Sequence, residues 1–235
     1  PDQIGPAVIW TAASFVPLAF LAGFLLLENA DPRLLLASGF AAMAVASLIN
    51  ARMTSAWAAA NFYPTEFLMG FGQCFAFIGL VATIILQGLF SGGLVKPQRI
   101  LTFSAFFHTI RLFGGTLGAV LMGRFIAERE KFHSNMLGLN VQHGSWITDG
   151  SVRQATAGFY AKSSGLTDAA GRALEVVGGR LRLQAYTLSL IDGFYLVAWA
   201  SVIALVLVAL LREAPLKYGD LSGIQQQQAA VKGEK

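Results

Sequence analysis

Charge is scarce in this chain. Asp, Glu, Lys and Arg make up 13% of its 235 residues, where soluble domains carry roughly a quarter. Half the usual charge points away from a water-facing globule. Disorder is excluded too, because 55% of the residues are hydrophobic and disordered chains are poor in apolar residues. Cysteine is nearly missing: Cys74 stands alone, which leaves no internal disulfide framework and no Cys-based zinc cage. Histidine is rare as well. His108, His133 and His143 lack metal-ligand spacing, so no metal site is expected. No Ser/His/Asp or Cys/His arrangement stands out, and an enzyme is not expected. The mean hydropathy of +0.59 fits an all-α integral membrane protein.

What the chain does have is long apolar runs. A helix needs about 20 apolar residues to cross a hydrocarbon core, and five stretches supply them. Ala7 to Leu27 and Leu34 to Ala51 are uncharged, and the third run lies between Glu66 and Lys96. Ile100 to Gly123 is interrupted only by Arg111, and Gly193 to Leu211 has Asp192 at its entrance. The alternation of a transmembrane barrel is absent. Helices then satisfy every backbone polar group in lipid. Transmembrane helices are expected at about 7–27, 34–51, 67–91, 100–126 and 183–212. Residues 128–182 read as a long loop with a short amphipathic helix, Ala169 to Val177, capped at Thr167-Asp168 and stopped at Gly178-Gly179. Residues 213–235 read as a disordered tail. A signal peptide is a poor reading of the first run, which follows Asp2 rather than a basic segment. The start at Pro1 and the odd number of spans suggest an incomplete chain.

Basic residues in short connections set orientation. The Glu28–Arg33 hinge, the Ser91–Arg99 loop and the tail together hold seven, whereas the Asn50–Glu66 connection holds Arg52 alone. That places the C-terminus in the cytoplasm and the 128–182 loop on the opposite side.

Arg111 is the most informative position. An arginine at a helix centre costs about 2.5–3.5 kcal/mol on insertion scales and faces a bundle interior or an aqueous cavity. His108 lies one turn earlier on the same face. Two readings are open: a polar patch on a substrate or proton pathway, or a pin that bonds carbonyls of a neighbouring helix. Gly114, Gly115 and Gly118 follow; their spacing does not fit a nucleotide fingerprint, and they read as a small-residue face for close helix packing. Gln73 and Gln87 share one face of an apolar helix, either lining a cavity or bonding between helices. Asp192 is either a protonatable group at a span entrance or an interfacial acid that stays in water.

The segment His108-Thr-Ile-Arg111-Leu-Phe-Gly114-Gly115-Thr-Leu-Gly118, followed by Arg129-Glu130-Lys131-Phe132-His133 and a long connection, resembles the second-last span of EmrB/QacA-type drug:proton antiporters. These form the 14-span branch of the major facilitator superfamily. Pro17-Leu18 to Gly23 and Asp31-Pro32-Arg33 are similar to that family's helix–short turn–helix. The resemblance implies the last five spans of fourteen, a partial C-terminal bundle with a long periplasmic loop before the last span. It also implies a cell (inner) membrane location and proton-coupled efflux of small lipophilic or amphipathic compounds. The proton gradient would supply the energy, with no cofactor. The partners implied are the missing N-terminal half, a candidate periplasmic adaptor and an outer-membrane channel, and no nucleic acid. His108 departs from the family, where asparagine is common at that position. A non-transporting five-helix membrane subunit or scaffold is the alternative.

Overall fold

A computed structural model describes residues 4–90, 97–140, 146–160 and 165–211. The described residues form six helices and no strand: α1 Ile4–Leu27, α2 Pro32–Asn50, α3 Ala59–Phe90, α4 Pro97–Asn140, α5 Trp146–Tyr160 and α6 Leu166–Ala209. All but α5 are long and apolar enough to cross a membrane. The chain divides into two compact units. One comprises residues 1–52, 57–117 and 194–235, and the other residues 53–56 and 118–193.

In the first unit α3 packs against both α1 and α2. The turn between α1 and α2 is set by local chemistry. Asn29 takes a left-handed φ of 64°, which asparagine tolerates better than most residues. The Ala30 N–H donates to the Leu25 carbonyl and the Asn29 N–H to that of Leu26, closing α1 with a Schellman motif. Asp31 then caps α2 by accepting from the Arg33 backbone N–H at 2.9 Å. Pro32 sits at the first helical position, where its missing N–H costs nothing. Chain reversal takes only four residues, so α2 runs back along the bundle.

Small residues let the helices approach closely. A Cβ added at Gly39 of α2 would strike the backbone N of Ala76 in α3, and one at Gly79 would meet the Leu36 N at 2.6 Å. Leu26, Leu35, Cys74, Phe75 and Ala82 fill the buried core between α1, α2 and α3. Val208 and Leu211 at the end of α6 pack with Leu36, Phe40 and Ala76. Arg33 Nη1 donates to the Leu211 carbonyl at 2.8 Å, supplying a partner that the end of α6 lacks.

The second unit is built from the later part of α4, from α5 and from the first part of α6. Here the structure departs from the expected loop at 128–182. Helix α4 continues to Asn140, α5 adds 15 residues, and α6 begins at Leu166. The expected helix Ala169–Val177 does not stop at Gly178-Gly179; α6 passes through both glycines, whose Cβ positions are open space. Each helical glycine costs about 1 kcal/mol relative to alanine. That cost is spread over a 44-residue helix and does not break it. Helix α3 likewise starts at Ala59 rather than near 67 and carries Pro64 close to its beginning, where few intrahelical bonds are lost. The expected tail 213–235 lies outside the described residues.

Candidate functional site

Among the candidate residues, Asp192 is the one the structure binds into a cluster. Helix α6 presents it to α4, where Arg129 and His133 stand one helical turn apart and share a face. Arg129 Nε donates to Asp192 Oδ2 at 2.6 Å, and His133 Nε2 lies 2.7 Å from the same oxygen. An ionised carboxylate only accepts, so the His133 contact places the proton on Nε2. The side chains keep 25%, 37% and 16% of their exposure for Asp192, Arg129 and His133. The Arg129 guanidinium also covers the Phe132 ring at 4.9 Å, a contact that holds the cation in place. One carboxylate oxygen thus joins two helices through two nitrogen donors. Next to it Ser134 Oγ donates to Glu130 Oε1 at 2.9 Å.

Packing explains the register. Gly193 leaves room for α4 side chains: its Cβ position lies 3.6 Å from the Met122 sulfur and 3.6 Å from Ile126 Cγ1. After the lone Arg111, charged residues on α4 resume at this contact, with Arg124, and on α6 they end just before it, at Asp192. Both helices change from apolar to charged at one level, and the Asp192 cluster sits there. An ionisable group at such a level can exchange protons with water while its partners hold it against an apolar wall.

A cleft of about 540 Å³ opens between the same two helices, lined by Gly123, Ile126, Ala127 and Glu130 of α4 and by Arg182 and Tyr186 of α6. Its described lining is mostly apolar, with one acid, Glu130, and one base, Arg182. Such a cleft suits a molecule with an apolar body and polar ends.

The remaining candidates are not gathered at this site. Arg111 lies exposed on α4, its guanidinium 4.8 Å from the Phe77 ring centre of α3. Gln73 stands one turn before Phe77 on α3, so Arg111 meets the face that carries it. Gln73, Gln87 and His108 are all exposed, and no hydrogen bond among the described residues links them to Arg111. The expected packing face is open as well: a Cβ at Gly114, Gly115 or Gly118 would meet nothing within 4 Å. Close approach occurs instead at Gly39, Gly70, Gly72 and Gly79, because α3 is the helix with neighbours on two sides. No group of His, Cys, Asp and Glu suited to a metal is found among the described residues. Arg129, His133, Glu130, Arg182 and Tyr186 were not singled out as site residues. The spacing of Arg129 and His133 was a usable signal, but only once that segment is known to be helical.

No family model matches the sequence, and no curated protein or solved structure matches it either.

Proposed function

We propose that this chain works in a proton-coupled membrane exporter of lipophilic or amphipathic compounds, as the C-terminal part of the 14-span type it resembles. The observation that carries the reading is the Asp192 carboxylate shared by Arg129 and His133 between two long helices. Protonation of Asp192 removes the charge that holds Arg129, and the α4–α6 contact loosens. Deprotonation restores it. A proton taken up on one side and released on the other then drives helix motion, the coupling that alternating access requires. The cleft beside Glu130, Arg182 and Tyr186 supplies an amphipathic surface for substrate. Arg111 and His108 on α4 and Gln73 and Gln87 on α3, all in the first unit, are separate candidates for the substrate or proton pathway. In this reading the protein lies in the cell membrane with its C-terminus cytoplasmic, and residues 128–182 are the candidate contact for a periplasmic adaptor.

The test uses the intact exporter in proteoliposomes with an imposed pH gradient and a fluorescent lipophilic cation. Asp192→Asn should abolish gradient-driven extrusion while protein yield stays unchanged. Extrusion at the wild-type rate would remove the proposal. Absence of gradient-driven extrusion by the wild-type protein itself would favour a non-transporting scaffold instead.

A further inference from the structure

We infer that the groove between α5 and α6 binds a soluble amphipathic anion, a carboxylate with an apolar tail, through the guanidinium of Arg153. The groove is open, has a volume of about 530 Å³ and is lined by Arg153, Thr156, Ala157 and Tyr160 of α5 and by Ala170 of α6. That volume lies in the range of small-molecule sites, roughly 300–1,000 Å³. Positions 153, 156, 157 and 160 form one stripe of a helix, so the groove runs along α5. The Thr156 hydroxyl donates to the Val152 carbonyl at 2.7 Å and is occupied within its own helix. Among the described lining residues, the Arg153 head and the Tyr160 phenol are the polar groups left to a ligand.

Charge decides the ligand's sign. Arg153 is exposed and makes no ion pair with any described residue. Arg172, two residues beyond Ala170, is paired with Asp168 at 3.3 Å. Asp149, one turn before Arg153, does not bond to it. Among the described residues that line it, the groove therefore carries one cation without an ion-pair partner, Arg153, of the fork geometry that takes a carboxylate through two parallel hydrogen bonds. Arg153 and Tyr160 lie seven positions apart, about 10 Å along the helix axis. A medium-chain tail anchored at Arg153 spans Ala157 and Ala170 and ends on the Tyr160 ring.

Position excludes bilayer lipid as the occupant. Ala170 precedes Asp192 by 22 residues of continuous helix, about 33 Å. Asp192 marks the level where the apolar stretch of α6 begins, so the groove takes its ligand from water. This inference is independent of the export reading, because it needs no transport.

The full chain is reconstituted in phosphatidylcholine nanodiscs and titrated with 11-(dansylamino)undecanoate, with the signal of empty discs subtracted. Wild-type protein should show a saturable component that the uncharged methyl ester of the probe lacks. Arg153→Ala should weaken it about tenfold or more, as loss of a charge-assisted contact does. Arg153→Lys should retain part of the affinity and Tyr160→Ala should reduce it, with helix content by circular dichroism unchanged in each. Equal saturation by the ester, or wild-type titration by Arg153→Ala, overturns the inference.

Discussion

At the scale of single residues, one ion pair, Arg129 with Asp192, and one hydrogen bond, from Arg33 to the Leu211 carbonyl, tie distant parts of the sequence together, and both can be tested by stability. Asp192→Ala leaves Arg129 and His133 facing each other without their shared acceptor. Charge-assisted hydrogen bonds at partly exposed sites contribute about 1–3 kcal/mol, so thermal unfolding in detergent should show a loss within that range. A double-mutant cycle with Arg129→Ala should recover most of it as coupling. An additive result would mean that the pair does not stabilise the protein. Arg33 has a double duty, since it pairs with Asp31 at 2.8 Å and donates to the Leu211 carbonyl. Arg33→Ala should therefore cost about 1–2 kcal/mol, measured as a lower unfolding midpoint. Burial pushes the Asp31 carboxyl up, but hydrogen bonds and charge from Arg33 outweigh it and hold the group below its ordinary value. A depressed folded value means that the stabilisation is present above the unfolded carboxylate pKa, about 3.9. It is lost as pH falls through the folded value. Unfolding midpoints followed from pH 7 to pH 3 should fall more steeply for wild type than for Asp31→Asn, which keeps the helix cap without the charge. Parallel curves would contradict this.

At the scale of helices, the contrast among glycines is informative. Gly39 faces the Ala76 backbone, which cannot move aside as a side chain would. Gly39→Ala forces α2 and α3 apart and should destabilise by about 1–3 kcal/mol, the usual cost of overpacking. The measurement is the unfolding midpoint together with the efficiency of a cysteine crosslink between α2 and α3. Unchanged values for both would show that the helices separate freely. The apolar runs were legible in the sequence because a membrane crossing demands about 20 apolar residues whatever its neighbours are. The Asp31-Pro32 start of α2 is local capping chemistry, but the expected span began at 34 and left both residues in the hinge. Close-packed glycines were not legible. Gly114 and Gly118 have the better spacing, yet the structure packs Gly39, Gly72 and Gly79, because only the identity of the neighbouring helix decides which glycine is needed. The Arg129–His133–Asp192 cluster was half visible. Asp192 stood out at the head of an apolar run, while its partners lay in a segment rich enough in charge to read as loop.

At the scale of the whole molecule, the governing fact is that α4 and α6 each run for 44 residues. At 1.5 Å per residue this is about 66 Å, more than twice a hydrocarbon core of roughly 30 Å. Part of each helix must therefore lie outside the bilayer, and the charge pattern says which part. On α4 the residues from Arg124 to His133 include six charged or titratable side chains, and on α6 the residues from Asp168 to Arg182 include five. Inserting such stretches would cost several kcal/mol per group at the centre. The apolar stretches, 100–123 and 193–211, have crossing length with Arg111 as the one interruption. Accessibility to a membrane-impermeant maleimide measures this division directly. With Cys74→Ser as background, the sole native thiol is removed. Lys131→Cys and Glu175→Cys, both at exposed positions, should then label in intact proteoliposomes or after permeabilisation. Val120→Cys and Val206→Cys are equally exposed in the protein, but lipid should cover them and leave them unlabelled until detergent is added. Equal labelling at all four positions would mean that α4 and α6 do not cross the bilayer where their apolar stretches lie.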